Sequence, residues 1–204
     1  MIETLKMGGV VMIPLLIGSI ITLAVILERL FTLLATERGG DAFRNRLSQH
    51  IRAGQLKEAQ EWLRGLKGPV AAVARAAVDS WEKPNSVLEA TMAAAARRAV
   101  PPLERHLSVL ETAITAAPLV GLLGTITGMM GVFRVVAQRL AHDPQADTSH
   151  VTAGIGEALV ATAFGILIAV IAVLFYNSFR GWIDALLDES ELVAAEIMLL
   201  RDDK

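Results

Sequence analysis

Three long apolar windows decide what this chain can be. Gly8 to Leu27 reads GGVVMIPLLIGSIITLAVIL and stops at Glu28-Arg29. Thr112 to Phe133 reads TAITAAPLVGLLGTITGMMGVF between Glu111 and Arg134. Glu157 to Asn177 reads EALVATAFGILIAVIAVLFYN and gives way to Arg180. About 20 mostly apolar residues cross the hydrocarbon core of a bilayer, because a helix rises about 1.5 Å per residue. Separated windows of this length must satisfy their own backbone in lipid, which makes them helices. The expectation is an all-α integral membrane protein with three transmembrane helices. Composition agrees: 53% of residues are hydrophobic, only 5% aromatic, and mean hydropathy is +0.50, more aliphatic surface than a soluble domain of this size hides. The first window is longer than a signal-peptide core and no small-x-small cleavage site follows it, so it reads as a span.

Basic residues give an orientation. Arg29, Arg38, Arg44 and Arg46 follow the first span, Arg97, Arg98 and Arg105 precede the second, and Arg180 follows the third. Lys6, Arg134 and Arg139 stand on the other side. By the positive-inside rule the N-terminus faces out and the C-terminus in. The expected organisation is a short external N-terminus (1–7), span one (8–27), a cytoplasmic helical loop (28–108), span two (109–136), an external loop (137–150), span three (151–179) and a cytoplasmic helical tail (180–204). In the long loop, DAFRNRLSQHIRAGQLKEAQEWLRGL predicts a helical hairpin about Gly54, with Phe43, Leu47 and Ile51 at helical spacing. Pro69 suits the first turn of the next helix. Pro84-Asn85-Ser86 breaks that helix and can cap the one after it, which runs to Pro101-Pro102. Those prolines are expected to start or kink a helix leading into span two. The tail keeps Ile183, Leu186, Leu187, Val193 and Ala194 on an amphipathic helix that continues span three. Charges on these helices read as solvated faces, and no internal repeat is present.

Several function classes fall away. A net charge of -2 leaves no basic footprint for nucleic acid. The absence of cysteine removes disulfides, thiolate metal sites and a Cys nucleophile. Among His142, Asp143, Asp147 and His150 the two histidines lack the i, i+4 spacing of a known helical metal site, and the group sits on Asp-Pro turn punctuation. GLLGTITG lacks the Gly-Lys-Ser/Thr ending of a phosphate loop. With no nucleophile–base pair either, the chain reads as a non-enzyme needing no cofactor.

Spans two and three carry small-residue faces. Gly121, Gly124, Thr125, Gly128 and Gly131 lie along one broad face of span two. Ala158, Ala161, Thr162, Gly165, Ala169 and Ala172 form a stripe on span three, at offsets of 3, 4, 7, 11 and 14 from Ala158. Such faces permit close helix approach in a membrane. They suggest either mutual packing or a shared lumen, and each holds a threonine that bonds its own helix or lines a path. Glu157, roughly 9 Å into span three if that span starts near Val151, is either an interfacial glutamate at a helix N-terminus or a carboxylate at the mouth of an ion path. The interiors of spans one and two contain no Asp, Glu, Lys, Arg or His. A threonine hydroxyl does not titrate near neutral pH, so any mid-membrane proton carrier is expected from another subunit.

APLVGLLGTITGMMGVF and GIGEALVATAFGILIAVIAVLFYN resemble the second and third spans of the MotA/TolQ/ExbB proton-channel family, and PLLIGSIITLAVILERL resembles the first. Three spans with a modest loop resemble the ExbB/TolQ branch. The resemblance implies a stator subunit of the bacterial inner membrane. In this family five copies surround a pore occupied by two helices of an ExbD/TolR-type partner. Each partner helix carries an aspartate that takes up and releases the ion, by default a proton. Work passes through a TonB- or TolA-type protein to the outer membrane. Thr125 and Thr162 match the family's pore threonines and Glu157 its third-span glutamate. Gly121, Gly124, Gly128, Ala158, Ala161 and Gly165 are the expected close-packing positions. Ile171 stands where members often have proline, which implies a straighter third helix. An ExbB-like role in TonB-dependent transport leads; a TolQ-like role in envelope maintenance and a non-conducting oligomeric scaffold are the alternatives.

Overall fold

The computed structural model describes residues 10–36, 38–142 and 149–202; the helical side chains of 139–142, 149–153, 157 and 202 lie outside that description. The expectations for residues 1–7, Gly8 and Gly9, and for the metal-like His142, Asp143, Asp147 and His150, fall outside the described residues or side chains. All regular structure in the described residues is helical. The helices are α1 (Met12–Leu34), α2 (Asp41–Arg52), α3 (Leu56–Arg64), α4 (Pro69–Asp79), α5 (Asn85–Glu104), α6 (Leu107–His142) and α7 (Ser149–Asp202). Three of them are long and apolar enough to cross a membrane: Met12–Leu34, Leu107–Gln138 and Gly154–Arg201. Only 22%, 11% and 33% of their apolar windows are buried, so most of that surface is left for lipid or neighbouring protein.

The chain divides into two compact units. One comprises Met1–Leu27 with His106–Tyr176, the other Glu28–Arg105 with Asn177–Lys204. The first holds the three apolar segments. Its small core joins Met12 and Leu15 of α1, Ala117 of α6, and Ala161 and Ile168 of α7, with Val120 and Phe164 against them. Outward-facing residues such as Ile20, Leu119, Met130, Leu159 and Leu174 are more than half exposed. α7 is one 54-residue helix, and Ile171 lies within it with no break.

The second unit is a helical bundle with a conventional apolar core. Phe43, Leu47 and Ile51, each one turn apart on α2, are buried with Ala59 and Leu63 of α3. The hairpin between them turns at Gly54, whose φ of 71° is where glycine costs nothing. Pro69 occupies the first turn of α4, where its missing N–H has no helical acceptor in any case. From α7, Ile183, Leu186, Ser190, Val193, Ile197 and Leu200 are buried, at alternating steps of three and four that keep one helix face inward. Leu187 and Ala194 flank that face, partly buried. Trp62 closes the α2–α3 end, 5.1 Å from the Phe43 ring and beneath the Arg46 guanidinium.

Two local expectations change. Pro101 and Pro102 lie inside α5 rather than at the start of the next helix. The chain breaks later, at Arg105 and at His106, which has φ 64°. A proline removes an N–H and crowds the preceding turn, so Pro101 and Pro102 take the helical donors from the carbonyls of Arg97 and Arg98. Arg29 serves different carbonyls, those of the last turn of α5: its Nη1 donates to Pro102 O at 2.9 Å and to Leu103 O at 3.1 Å, which the break at Arg105 leaves without helical donors. Arg29 is 2% exposed, its Nε donates to Glu28 Oε2 at 2.8 Å, and its Nη2 meets Glu28 Oε1. A cation is favoured against the partial negative charge of a helix C-terminus. The second change is at the start of α5, where the cap residue is Pro84 and no side-chain cap bond forms.

A clasp ties the α1–α2 connection to α7 within this unit. Glu189 Oε1 accepts from Gly40 N at 2.8 Å and from Arg44 Nη1 at 2.8 Å. Arg44 also pairs with Asp41 and lies 3.7 Å from Glu196. The Asp41 hydrogen bond is the main reason that the Arg44 guanidinium is held above its ordinary pKa, with Glu189 and Glu196 adding to it. Gly39 has φ 77°, and a Cβ there would lie 2.6 Å from Glu189 Cγ. Gly39→Ala is therefore expected to destabilise the protein by about 1–2 kcal/mol, the cost of a left-handed residue with a side chain. Chemical denaturation checks it; no change in midpoint would mean that the clasp is not closed in solution.

Candidate functional site

In the membrane unit, α6 and α7 meet along a seam built almost entirely of backbone and methyl groups. Helices approach this closely only where side chains are smallest. A Cβ on Gly121 would lie 2.9 Å from both Ala161 O and Thr162 Cα. On Gly124 it would lie 2.7 Å from Ala161 Cβ, and on Gly128 2.8 Å from Ala158 Cβ. On Gly165 it would collide with Ala117 O, and on Gly154 with Val132 Cγ2. The α6 positions 117, 121, 124, 128 and 132 step by four, three, four and four; the α7 positions 154, 158, 161 and 165 step by four, three and four. These steps hold one face of each helix.

Gly131 departs from this line. Sequence spacing put it on the same broad face as Gly121, but it is exposed and a Cβ on it would meet nothing within 4 Å. Ten residues at about 100° each leave it roughly 80° around the helix from Gly121. Ala169 and Ala172 of the predicted α7 stripe are both buried.

The two threonines sit differently. Thr125 is partly buried and its Oγ1 donates to Leu122 O of its own helix at 2.7 Å. Thr162, also partly buried, donates across the seam to Gly121 O at 2.8 Å. The local i−4 bond considered from sequence is thus replaced at Thr162 by an interhelical one. Nothing in the sequence marks that partner, because only the absence of a side chain at Gly121 lets a hydroxyl reach its carbonyl. In both residues the single hydroxyl proton is committed, and what remains are oxygen lone pairs. Such groups accept hydrogen bonds from water or coordinate a cation. Glu157 lies within α7, and its side chain is outside the described residues. Among the described residues no group of three or more His, Asp or Glu is placed to hold a metal ion.

A further polar element near the spans was read from sequence only as an inside charge. This is Arg29, whose buried guanidinium holds the end of α5. Its only sequence signal is its place directly after an apolar span.

Residues 66–191 match the model of the MotA/TolQ/ExbB proton channel family. The chain is 30% identical over 202 residues to the biopolymer transport protein ExbB of Pseudomonas putida, covering 94% of this chain and 59% of that protein. It is 39% identical over 85 residues to ExbB of Salmonella typhimurium, covering 42% of this chain and 33% of that one. It is 45% identical over 67 residues to the Tol-Pal system protein TolQ of Pseudomonas aeruginosa, covering 33% and 27%. The chain thus spans less than two thirds of the length of these relatives. The family match covers more than half of the chain, and with three helices long and apolar enough to span a membrane, this multi-pass membrane protein belongs to the MotA/TolQ/ExbB proton channel family, in its ExbB/TolQ branch.

Proposed function

We propose that this chain is an ExbB-like stator subunit of the bacterial inner membrane that couples the proton motive force to TonB-dependent transport. In this reading the N-terminus is outside and the C-terminus inside. Five copies enclose two membrane helices of an ExbD/TolR-type partner, each with an aspartate that carries the proton. A TonB/TolA-type protein receives the work. The observation that carries it is the chemistry of the α6–α7 pair: threonine oxygens that offer lone pairs, in spans whose interiors contain no Asp, Lys, Arg or His. Such a wall assists an ion but does not store a proton, which suits a chain whose partner supplies the carboxylate. Glu157 then acts as a gate at the outer end of span three rather than as the primary carrier. A TolQ-like role would use the same membrane chemistry with a different recipient.

One observation favours a second reading, a scaffold without conduction. The Thr162 hydroxyl proton is spent inside the protomer, as a packing role requires. Thr162→Val and Thr162→Ser separate the two. Valine keeps the volume, and Gly121 O, inside a helix, retains the helical bond from four residues on. The packing loss is therefore about 0.6 kcal/mol, typical of an interhelical bond in a membrane. The oligomer is expected to survive valine while ion-driven uptake falls several-fold, and serine restores uptake. Full energy-coupled uptake by Thr162→Val, measured with the partner co-expressed, would remove the hydroxyl from the ion path and leave the scaffold reading standing.

A further inference from the structure

The second unit carries an open groove that the described residues leave unfilled. The groove has a volume of about 1220 Å³ and runs along α5 from Ser86 to Leu103, lined also by α4 and by Phe31 to Thr36 at the end of α1. Its floor is alanine, including Ala90, Ala94 and Ala95. A floor of methyl groups admits the approach of a helix and leaves room above it for that helix's leucines. Lys67, Arg75 and Arg98 line it against a single carboxylate, Asp79, which accepts from Gln60 Nε2 at 2.6 Å. No ion pair is made by Lys67, Arg75 or Arg98 among the described residues.

On the same unit, the outward face of α7 has the opposite character. Asp184, Asp188 and Glu191 are exposed and without an ion pair among the described residues. They share a face with Leu192 and Leu199, which are 56% and 68% exposed. Positions 184, 188, 192, 195 and 199 step by four, four, three and four, so they form one seam. From Asp184 to Leu199 that seam is about 22 Å long, and the groove from Ser86 to Leu103 is about 25 Å. Each starts a few residues from a membrane window in sequence, the groove at Leu103 and the seam at Asp184. α5 runs toward its window and α7 away from one. An antiparallel docking therefore brings Arg98 level with the aspartates and Ala90 level with Leu192.

We propose that the α4–α5 groove of one copy receives the acidic, leucine-bearing seam of α7 from a second copy of this chain. Groove and seam are different surfaces, so the contact is head-to-tail and closes into a ring when the rotation allows. The proposal rests on the homo-oligomer of the proposed function and specifies the surfaces that build it. Opposite charge fixes register and discourages wrong pairings.

The chain has no cysteine, so introduced thiols report cleanly. Two differently tagged chains, Ala90→Cys and Leu192→Cys, would be co-expressed in membranes and treated with a short bismaleimide. The expected product is a mixed dimer, with no product from either variant alone. Adding Arg75→Glu and Arg98→Glu should lower its yield by about tenfold, since like charges at an interface cost more than the 1.4 kcal/mol that tenfold represents. Asp184→Lys with Asp188→Lys should restore it. Native mass spectrometry of the parent protein reads the oligomer independently. An intact oligomer with no mixed cross-link, or with the groove linked to another protein, overturns the docking but leaves the stator reading. A monomer overturns both.

Discussion

Gly165→Ala is expected to destabilise the protein by about 3 kcal/mol, the upper end of what overpacking costs. The new methyl would collide with the carbonyl oxygen of Ala117, and it would also lie 3.2 Å from the Gly121 Cα. Neither obstacle is a side chain that can rotate away. The only relief is to separate α6 from α7, which also breaks the bond from Thr162 to Gly121 O. Gly131→Ala on α6 is the control, because its Cβ would enter open space. There alanine should stabilise by about 0.5–1 kcal/mol, its ordinary helical advantage over glycine. Thermal unfolding in detergent reads both, and the signs should be opposite. Equal shifts for the two variants would mean that the helices do not meet along this line.

The second large effect is expected at Arg29. Arg29→Met removes a buried guanidinium that donates to Pro102 O and Leu103 O. Hydrogen bonds to a charged group contribute about 1.5–3 kcal/mol each. Glu28, with a side chain 44% exposed, can return to water and limits the loss. The net cost should be about 3 kcal/mol. The damage should concentrate at the end of α5, where helical carbonyls become orphans. Trypsin cleavage after Arg105 should accelerate, and Arg29→Lys should recover part of the protection, because an ammonium lacks the planar fork. Unchanged cleavage in Arg29→Met would show that the α5 terminus is held by something else.

What the sequence revealed, and what it did not, divides along physical lines. Apolar length is additive over residues, so the three long membrane-type helices were legible, and so was the α2–α3 hairpin, where Gly54 coincides with a break in a helical apolar pattern. Single contacts are not additive. The acceptor of Thr162 lies 41 residues away, and no local pattern encodes it. Gly131 was grouped with Gly121 because steps of three residues look continuous while they rotate round the helix. Pro101 and Pro102 were read as a helix start or kink because the rule concerns the local chain, whereas α5 runs on to Glu104 and its last turn is capped by Arg29, 73 positions earlier than Pro102. For Glu157, the residue with which the sequence raised its sharpest question, only the place within α7 is described.

The glycine seam also limits how this protein can drift. Glycine is the smallest residue, so every substitution in the seam adds atoms, and any compensation must be a subtraction on the facing helix. At three positions a subtraction exists: Gly124 faces the Ala161 methyl, Gly128 the Ala158 methyl and Gly154 the Val132 side chain, so enlargement on one helix can be matched by a smaller residue on the other. At Gly121 and Gly165 the facing atoms include the peptide oxygens of Ala161 and Ala117, which no change of residue removes. Three of the contacts are thus exchangeable between the helices, and two are fixed by the backbone itself.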